Sequence, residues 1–399
     1  GPCSIRARPP PLRPATWNPR NGKRDRIRYV DVSGVDRETL RIVAETPYSA
    51  AAAPSRARKI VQAGDTIFAT VRPTLRRIAQ VPASLDGEIV STAFCVLRPD
   101  PDQLDADFLF FATQLESVMF GISALETGAS YPAVRDSDVL DQVIPVPPLT
   151  EQQEIASVLN VTRSALLHEF ECEADAALLK RAAMRTLFTR GLRGQAQKET
   201  EIGPVPESWD TPTVAESVRP FRFDRGKQIT TSAYGDTGRW PIIDQGQQEI
   251  AGYTDTVEKV ITPDQPIIIF GDHTRVFKFV DFPFALGADG TKPLLAGGGF
   301  EPKFLFHALT ALDVPSRGYN RHYTVLSEMR LPKPASDEQR EIVAILDAID
   351  RKIDLHKRKR AVLDDLFRSL LHKLMTGEIR VGDLDLSAVG SATGNEVAA

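Results

Sequence analysis

Thr150-Glu151-Gln152-Gln153-Glu154-Ile155 returns 187 residues later as Asp337-Glu338-Gln339-Arg340-Glu341-Ile342. The same offset aligns Leu159 with Leu346, Leu187 with Leu374, Thr189 with Thr376, Leu192 with Ile379 and Arg193 with Arg380. One offset held over about forty residues marks an internal duplication. Upstream, Asp107-Phe108-Leu109-Phe110-Phe111-Ala112 answers to Lys303-Phe304-Leu305-Phe306-His307-Ala308 at an offset of 196, and loops absorb the difference. The chain reads as two tandem copies of one unit, each a variable region followed by a helix.

The helices carry their own signals. Prolines at 145, 147, 148, 332 and 334 keep the approach to each one extended. Thr150 with Gln153, and Ser336 with Gln339, have the spacing of a capping box. In the second helix Ile342, Leu346, Ile349, Ile353, His356, Arg360, Leu363, Phe367, Leu370 and Leu374 step alternately by four and three, a coiled-coil seam. The first helix has a weaker seam through Ile155, Leu159, Thr162, Leu166, Glu169, Glu173, Ala176, Lys180, Ala183 and Leu187, and a frame toward Phe170 and Met184 fits almost as well. Glu169, Glu171, Glu173 and Asp175 lie at the centre of one helix, and Lys357 to Arg360 at the centre of the other. Pairing of the helices in either polarity aligns these blocks, so that they attract and set register; antiparallel pairing is expected because it places the globular units of head-to-tail repeats at opposite ends. At ~1.5 Å per residue, ~38 helical residues span about 57 Å, the dimension of a spacer.

Composition excludes several classes. The 399 residues carry 49 Lys and Arg against 53 Asp and Glu, with 42% hydrophobic residues, as in an ordinary globular chain. No apolar run approaches the ~18 residues of a membrane span. Cys3, Cys95 and Cys172 are far apart, which argues against a disulfide framework and fits a reducing cytoplasm. The mean charge hides an asymmetry. Residues 1–80 hold 16 basic and 6 acidic side chains, whereas 81–150 hold 2 and 11. A local basic face, not the average, is what a polyanion binds; residues 1–25 read equally well as a solvated tail.

Each variable region is α+β. Strands are expected at Arg28–Val32, Asp65–Val71 and Ile89–Leu97, then an apolar helix over 105–120; the second copy offers Trp240–Ile243, Ile267–Phe270 and Phe277–Phe279, then a helix over Lys303–Leu312. Three polar clusters follow strands: Thr70, Arg72, Thr74, Arg76 and Arg77; His273, Thr274 and Arg275; and Arg317, Tyr319, Asn320, Arg321 and His322, with a first-copy counterpart at Ser130 and Tyr131. Arg reads guanine, Asn reads adenine, and hydroxyls contact bases or phosphate. Singly, such loops are ordinary surface turns; their recurrence in both copies marks them as DNA-binding candidates. Catalytic signatures are missing: there is no Walker loop, G-x-S-x-G or H-E-x-x-H, Asp281-Phe282-Pro283-Phe284 lacks the second Pro of an amino-methyltransferase motif, and six scattered His lack metal-ligand spacing.

The duplicated Pro148–Leu159 and Glu338–Leu346 blocks, the Leu370–Ile379 segment and Ile202-Gly203-Pro204-Val205-Pro206-Glu207-Ser208-Trp209 resemble the specificity (S) subunits of Type I restriction-modification enzymes. The resemblance implies two tandem target-recognition domains and two long helices packed as an antiparallel coiled coil with pseudo-twofold symmetry. It implies a first recognition domain over 1–149, a spacer helix over 150–190, a linker over 191–208, a second recognition domain over 209–335, a second spacer helix over 336–377 and a tail over 378–399. Each domain then reads half of a bipartite double-stranded DNA target, and the helices set the gap and dock two methyltransferase subunits, with restriction subunits as further partners. No cofactor is expected in this chain, S-adenosylmethionine belonging to the methyltransferase subunit. Departures are the Pro- and Arg-rich opening of the first domain and Pro334-Ala335-Ser336 in place of Pro-Pro-Leu. Rival readings are a structural coiled-coil adaptor and the specificity subunit of another DNA-modification or phage-defence complex.

Overall fold

The computed structural model describes residues 2–4, 14–21, 24–288, 290–316, 318 and 321–384, so the expected tail beyond 384 lies outside the described residues. The chain forms two compact units, Gly1–Glu171 with Lys357–Ala399, and Cys172–His356. Helices Leu149–Arg190 and Ser336–Thr376 each contribute one part to each unit. No helix among the described residues is long and apolar enough to cross a membrane.

The duplication extends to topology. In the first unit a four-stranded sheet runs Thr46–Ser49, Arg26–Val30, Ile89–Ser91, Ala57–Ile60, with only the central pair parallel. Its counterpart in the second unit runs Gly252–Thr254, Trp240–Ile243, Phe284–Leu286, Val260–Ile261, again with a parallel central pair. Each unit adds an antiparallel sheet built on a buried strand, Thr66–Ala69 or Ile267–Gly271. Strand alternation divides the burial. Ile67 and Ile269 face the four-stranded sheet, with Val90 and Leu286 in their respective cores. Phe68 and Phe270 face the helices.

Several expected elements are interrupted for local reasons. Ile89–Leu97 is two strands, Ile89–Ser91 and Phe94–Leu97, because the chain switches sheets at Thr92, whose N–H goes to Arg56 O. The 105–120 helix is Ala106–Ala112 and Glu116–Ser123; Thr113 Oγ1 and Gln114 Nε2 both turn back to Phe110 O and compete with helix continuation. Residues 191–208 hold a short ladder, Gln197–Lys198 with Val205–Pro206, rather than free chain. Arg193 is paired there with Glu341 at 2.7 Å, and buried Trp209 donates to Glu338 at 3.1 Å. The N-terminal segment is partly built in as well: Trp17 is buried with Ile27, Tyr29 and Ile89.

The helix pair is antiparallel within each unit. Ile155 and Leu159 share a core with Phe367, Leu371 and Leu374 in the first; Leu187 and Phe188 share one with Ile342 and Leu346 in the second. Every seam position named for the first helix is buried or half-buried, Glu169 included, as is every one named for the second. Within the first unit, Lys359 of one charged block lies 3.5 Å from Glu169 of the other, Glu171 pairs with Arg41 at 2.9 Å, and Arg360 lies over the Phe170 ring.

The capping boxes are replaced by something stronger. Gln152 and Gln339 are buried, and each amide joins three backbone groups. Gln152 Oε1 accepts from Asp105 N, while its Nε2 donates to Gln103 O and Pro147 O. Gln339 Oε1 accepts from Glu301 N, and its Nε2 donates to Gly299 O and Pro334 O. Asp105 and Glu301 are themselves the N-caps of Ala106–Ala112 and Pro302–Thr310. Each glutamine thus ties the start of a long helix to the cap of a short one. Gln153 is exposed and takes no part.

One contact differs sharply between the repeats. Phe111 packs on Phe367 in the first unit, ring centroids 5.9 Å apart. Offsets of 196 and 187 place His307 and Lys180 at these positions in the second. There Lys180 pairs with Asp350 at 2.6 Å and Lys303 with Asp347 at 2.7 Å. His307, Asp347 and Asp350 could together hold a metal ion, a proximity their sequence spacing hid. Both carboxylates already have ammonium partners, so the cluster is a charge-balanced internal network. Burial, reinforced by Lys180, pushes the His307 imidazole down to about 4.

Two outcomes follow. Gln152→Leu or Gln339→Leu should lower the denaturant midpoint, each orphaned buried backbone group costing about 1–3 kcal/mol, whereas Gln153→Ala should change stability by no more than ~0.5 kcal/mol; equal effects would contradict the clamp. The unfolded chain protonates His307 near the ordinary value of 6.5, but the folded chain does so only near 4. Stability therefore falls as pH drops through that window. His307→Phe should flatten the decline of Tm between these pH values.

Candidate nucleic-acid interface

In each unit a buried residue at the end of the central strand pins a second loop. Thr70 O accepts from Val134 N at 2.9 Å, and Asp272 O accepts from His322 N at 3.0 Å. The two positions are equivalent, since Thr70 N donates to Ala93 O and Asp272 N to Gly290 O at the same place in the ladder. The pin brings residues 70–77 beside 127–134 in one unit, and 271–276 beside 313–316 and 321–323 in the other.

In the first unit, Arg72, Thr74, Ser130 and Tyr131 are exposed together. Arg72 Nη2 donates to Ser130 O at 3.2 Å, and its guanidinium lies 4.8 Å from the centre of the Tyr131 ring, which is 71% exposed. Stacking fixes the plane of the guanidinium and leaves other N–H donors facing outward. Arg76 holds both oxygens of Glu116 at 2.7 Å, so its charge is already partnered.

In the second unit, His273, Arg275 and Arg321 are exposed and Thr274 is half-buried. Arg275 Nη1 donates to Val314 O at 2.7 Å, the same use of a strand-end arginine as at Arg72. Arg72, Arg76 and Arg275 have φ of 49°, 52° and 64°, left-handed values uncommon outside glycine. Such strain persists only where the surroundings enforce it, and it gathers at functional loops. Arg317, Tyr319 and Asn320 lie outside the described residues.

Three candidates turn inward. Thr70 is buried, and its Oγ1 donates to Ala93 O. Arg77 Nη1 donates to Val32 O and Val35 O, so its guanidinium is spent on backbone carbonyls. His322 is buried against Asp272, which takes the His322 and Tyr323 N–H groups on Oδ1. These side chains position the loops instead of facing a partner. Sequence reading missed Asp272 in that pinning role. It also missed Gln245, whose Oε1 accepts from His273 N at 3.3 Å and whose carbonyl accepts from Thr274 Oγ1. The signal was available in Asp244-Gln245-Gly246 directly after a strand, a turn sequence beside the cluster already identified.

The Type I restriction modification DNA specificity domain matches residues 53–169 and again 220–365, once in each repeat. The MjaVIII Type I restriction enzyme specificity subunit of Methanocaldococcus jannaschii is 24% identical over 328 residues, covering 74% of this chain and 76% of that protein. A solved structure described as the structural basis underlying complex assembly and conformational transition of the type I R-M system is 25% identical, with a TM-score of 0.55 over 95% of this chain and 98% of its own. The Type I restriction-modification S subunit from M. genitalium, 17% identical, shares the fold with a TM-score of 0.56 over 94% of this chain and 96% of that one. With well over half of its residues matched, this chain belongs to the family of Type I restriction-modification DNA specificity proteins.

Proposed function

We propose that the chain is the non-catalytic subunit that gives a Type I restriction-modification complex its DNA sequence specificity, each repeat reading one half of a bipartite duplex target. The observation that carries this reading is the repeated strand-end site: an exposed, left-handed arginine, Arg72 or Arg275, donating to the backbone of a second pinned loop. In this proposal 1–149 and 209–335 are the reading domains, 191–208 connects the repeats, 150–190 and 336–377 are the spacer helices and 378–399 is the tail. The spacer helices fix the gap between half-sites and dock two methyltransferase subunits, which supply the S-adenosylmethionine chemistry; restriction subunits join that assembly in the cytoplasm. Docking is supported by apolar side chains left exposed on the helices: Val161, Val362 and Leu366 in the first unit, and Leu178, Leu179 and Leu355 in the second.

Selection from a randomised duplex library by the chain with its methyltransferase subunits should return two short constant halves at a fixed gap. Arg72→Ala should relax one half and Arg275→Ala the other, each by about 1–3 kcal/mol at the base read. Binding should weaken steeply as salt rises. Equal weakening for all sequences, with a salt slope lowered by about one, would assign these arginines to phosphate. A library returned without any preference would sink the reading itself.

A further inference from the structure

The strand Trp240–Ile243 ends in Asp244-Gln245-Gly246-Gln247-Gln248, in which Gln245 holds the His273 loop and Gln247 and Gln248 have no role so far. Four observations build it into the surface that carries His273 and Arg275. His273 N and Thr274 Oγ1 both donate to Gln245. Lys278, only 6% exposed, donates to Gln248 O at 2.5 Å, with Asp244 Oδ1 at 3.4 Å. Asp244 Oδ1 also takes the Gly246 N–H at 2.8 Å. Finally, Gly290, at φ +65°, sits so close that a Cβ there would lie 2.5 Å from Gln245 Oε1 and 2.7 Å from His273 Cδ2. A side chain there would strain the backbone and displace the Gln245 or His273 side chain.

The backbone of the segment is therefore held from below by a buried ammonium and from the side by the His273 loop. The side chains of Gln247 and Gln248 remain exposed. A buried lysine costs desolvation, which here lowers its pKa, so its use as a tether argues for a loop kept in one conformation. Rigid backbone under free carboxamides is what bidentate reading of a base edge needs, and glutamine pairs with the N6 and N7 of adenine in the major groove.

We infer that Gln247 and Gln248 form a third reading segment of the second repeat and recognise an A·T pair beside the base read by Arg275. The assignment rests on the sequence-reading function proposed above. It is tested with full-length Gln247→Ala and Gln248→Ala chains, each assembled with the methyltransferase subunits and challenged with the randomised duplex library. Preference for A·T should fall by about tenfold or more at one or two adjacent positions of one half, with the other half unchanged. Lys278→Met, which releases the loop backbone but leaves both glutamine side chains in place, should blunt preference at those same positions. Unaltered preferences at every position, or uniform weakening across all sequences, would overturn the assignment while leaving the function standing. Absence of any preference in the unsubstituted complex would overturn both.

Discussion

Two buried carboxamides, Gln152 and Gln339, decide how each repeat is put together. A long helix has four unsatisfied N–H groups at its start, and a short helix has four more. Each glutamine sits where these starts meet and bonds the cap residue of the short helix, Asp105 or Glu301, while holding the turn that leads into its own helix. In a dry environment such groups have no alternative partner. The clamp therefore fixes the angle at which the sheet-bearing part of a repeat leaves its helix. The loops at the strand ends inherit their placement from it, because Phe68 and Phe270 pack directly into the helix-facing cores.

Around that shared joint the repeats have diverged. The first unit closes its helix interface with Phe111 on Phe367; the second uses His307, Lys180 and two aspartates. An aromatic stack needs only shape, whereas a network of two ion pairs and a buried imidazole needs every partner in place. Glu338 adds a second asymmetry, since it is buried and takes both Leu192 N and Trp209 Nε1, while Glu151 at the matching position is exposed. At these positions the second repeat uses polar contacts where the first has an aromatic pair or an exposed carboxylate, on one topology.

The duplication, the long helices and both seams were legible because they rest on spacing, which a sequence records directly. The seam through Glu169 and Lys180 is weak by composition yet buried or half-buried throughout, with its charges partnered by Lys359 and Asp350. The capping boxes were misread for an instructive reason. Thr150 with Gln153 and Ser336 with Gln339 are one residue out of register under the 187 offset, whereas Gln152 and Gln339 are equivalent. Of the interface, the loops were visible as strand-end clusters, but which side chains turn inward was not. Thr70, Arg77 and His322 are as polar as their exposed neighbours, and only backbone direction separates them.

That separation has a physical logic. A reading loop must show donors to solvent and yet resist the entropy of an exposed chain. At both strand ends the inward group is a pin, and the outward group is an arginine whose backbone is bent into the left-handed region. The bend turns the arginine away from the ladder while its guanidinium returns to the second loop's carbonyl, Ser130 O or Val314 O. One donor is spent on rigidity, and the others stay available. A lysine there could not do both, because its single ammonium lacks a planar fork with separate faces. The recurrence of this device on unlike sequences, Thr-Val-Arg in one repeat and His-Thr-Arg in the other, indicates that the geometry is retained while the surrounding side chains are free to vary.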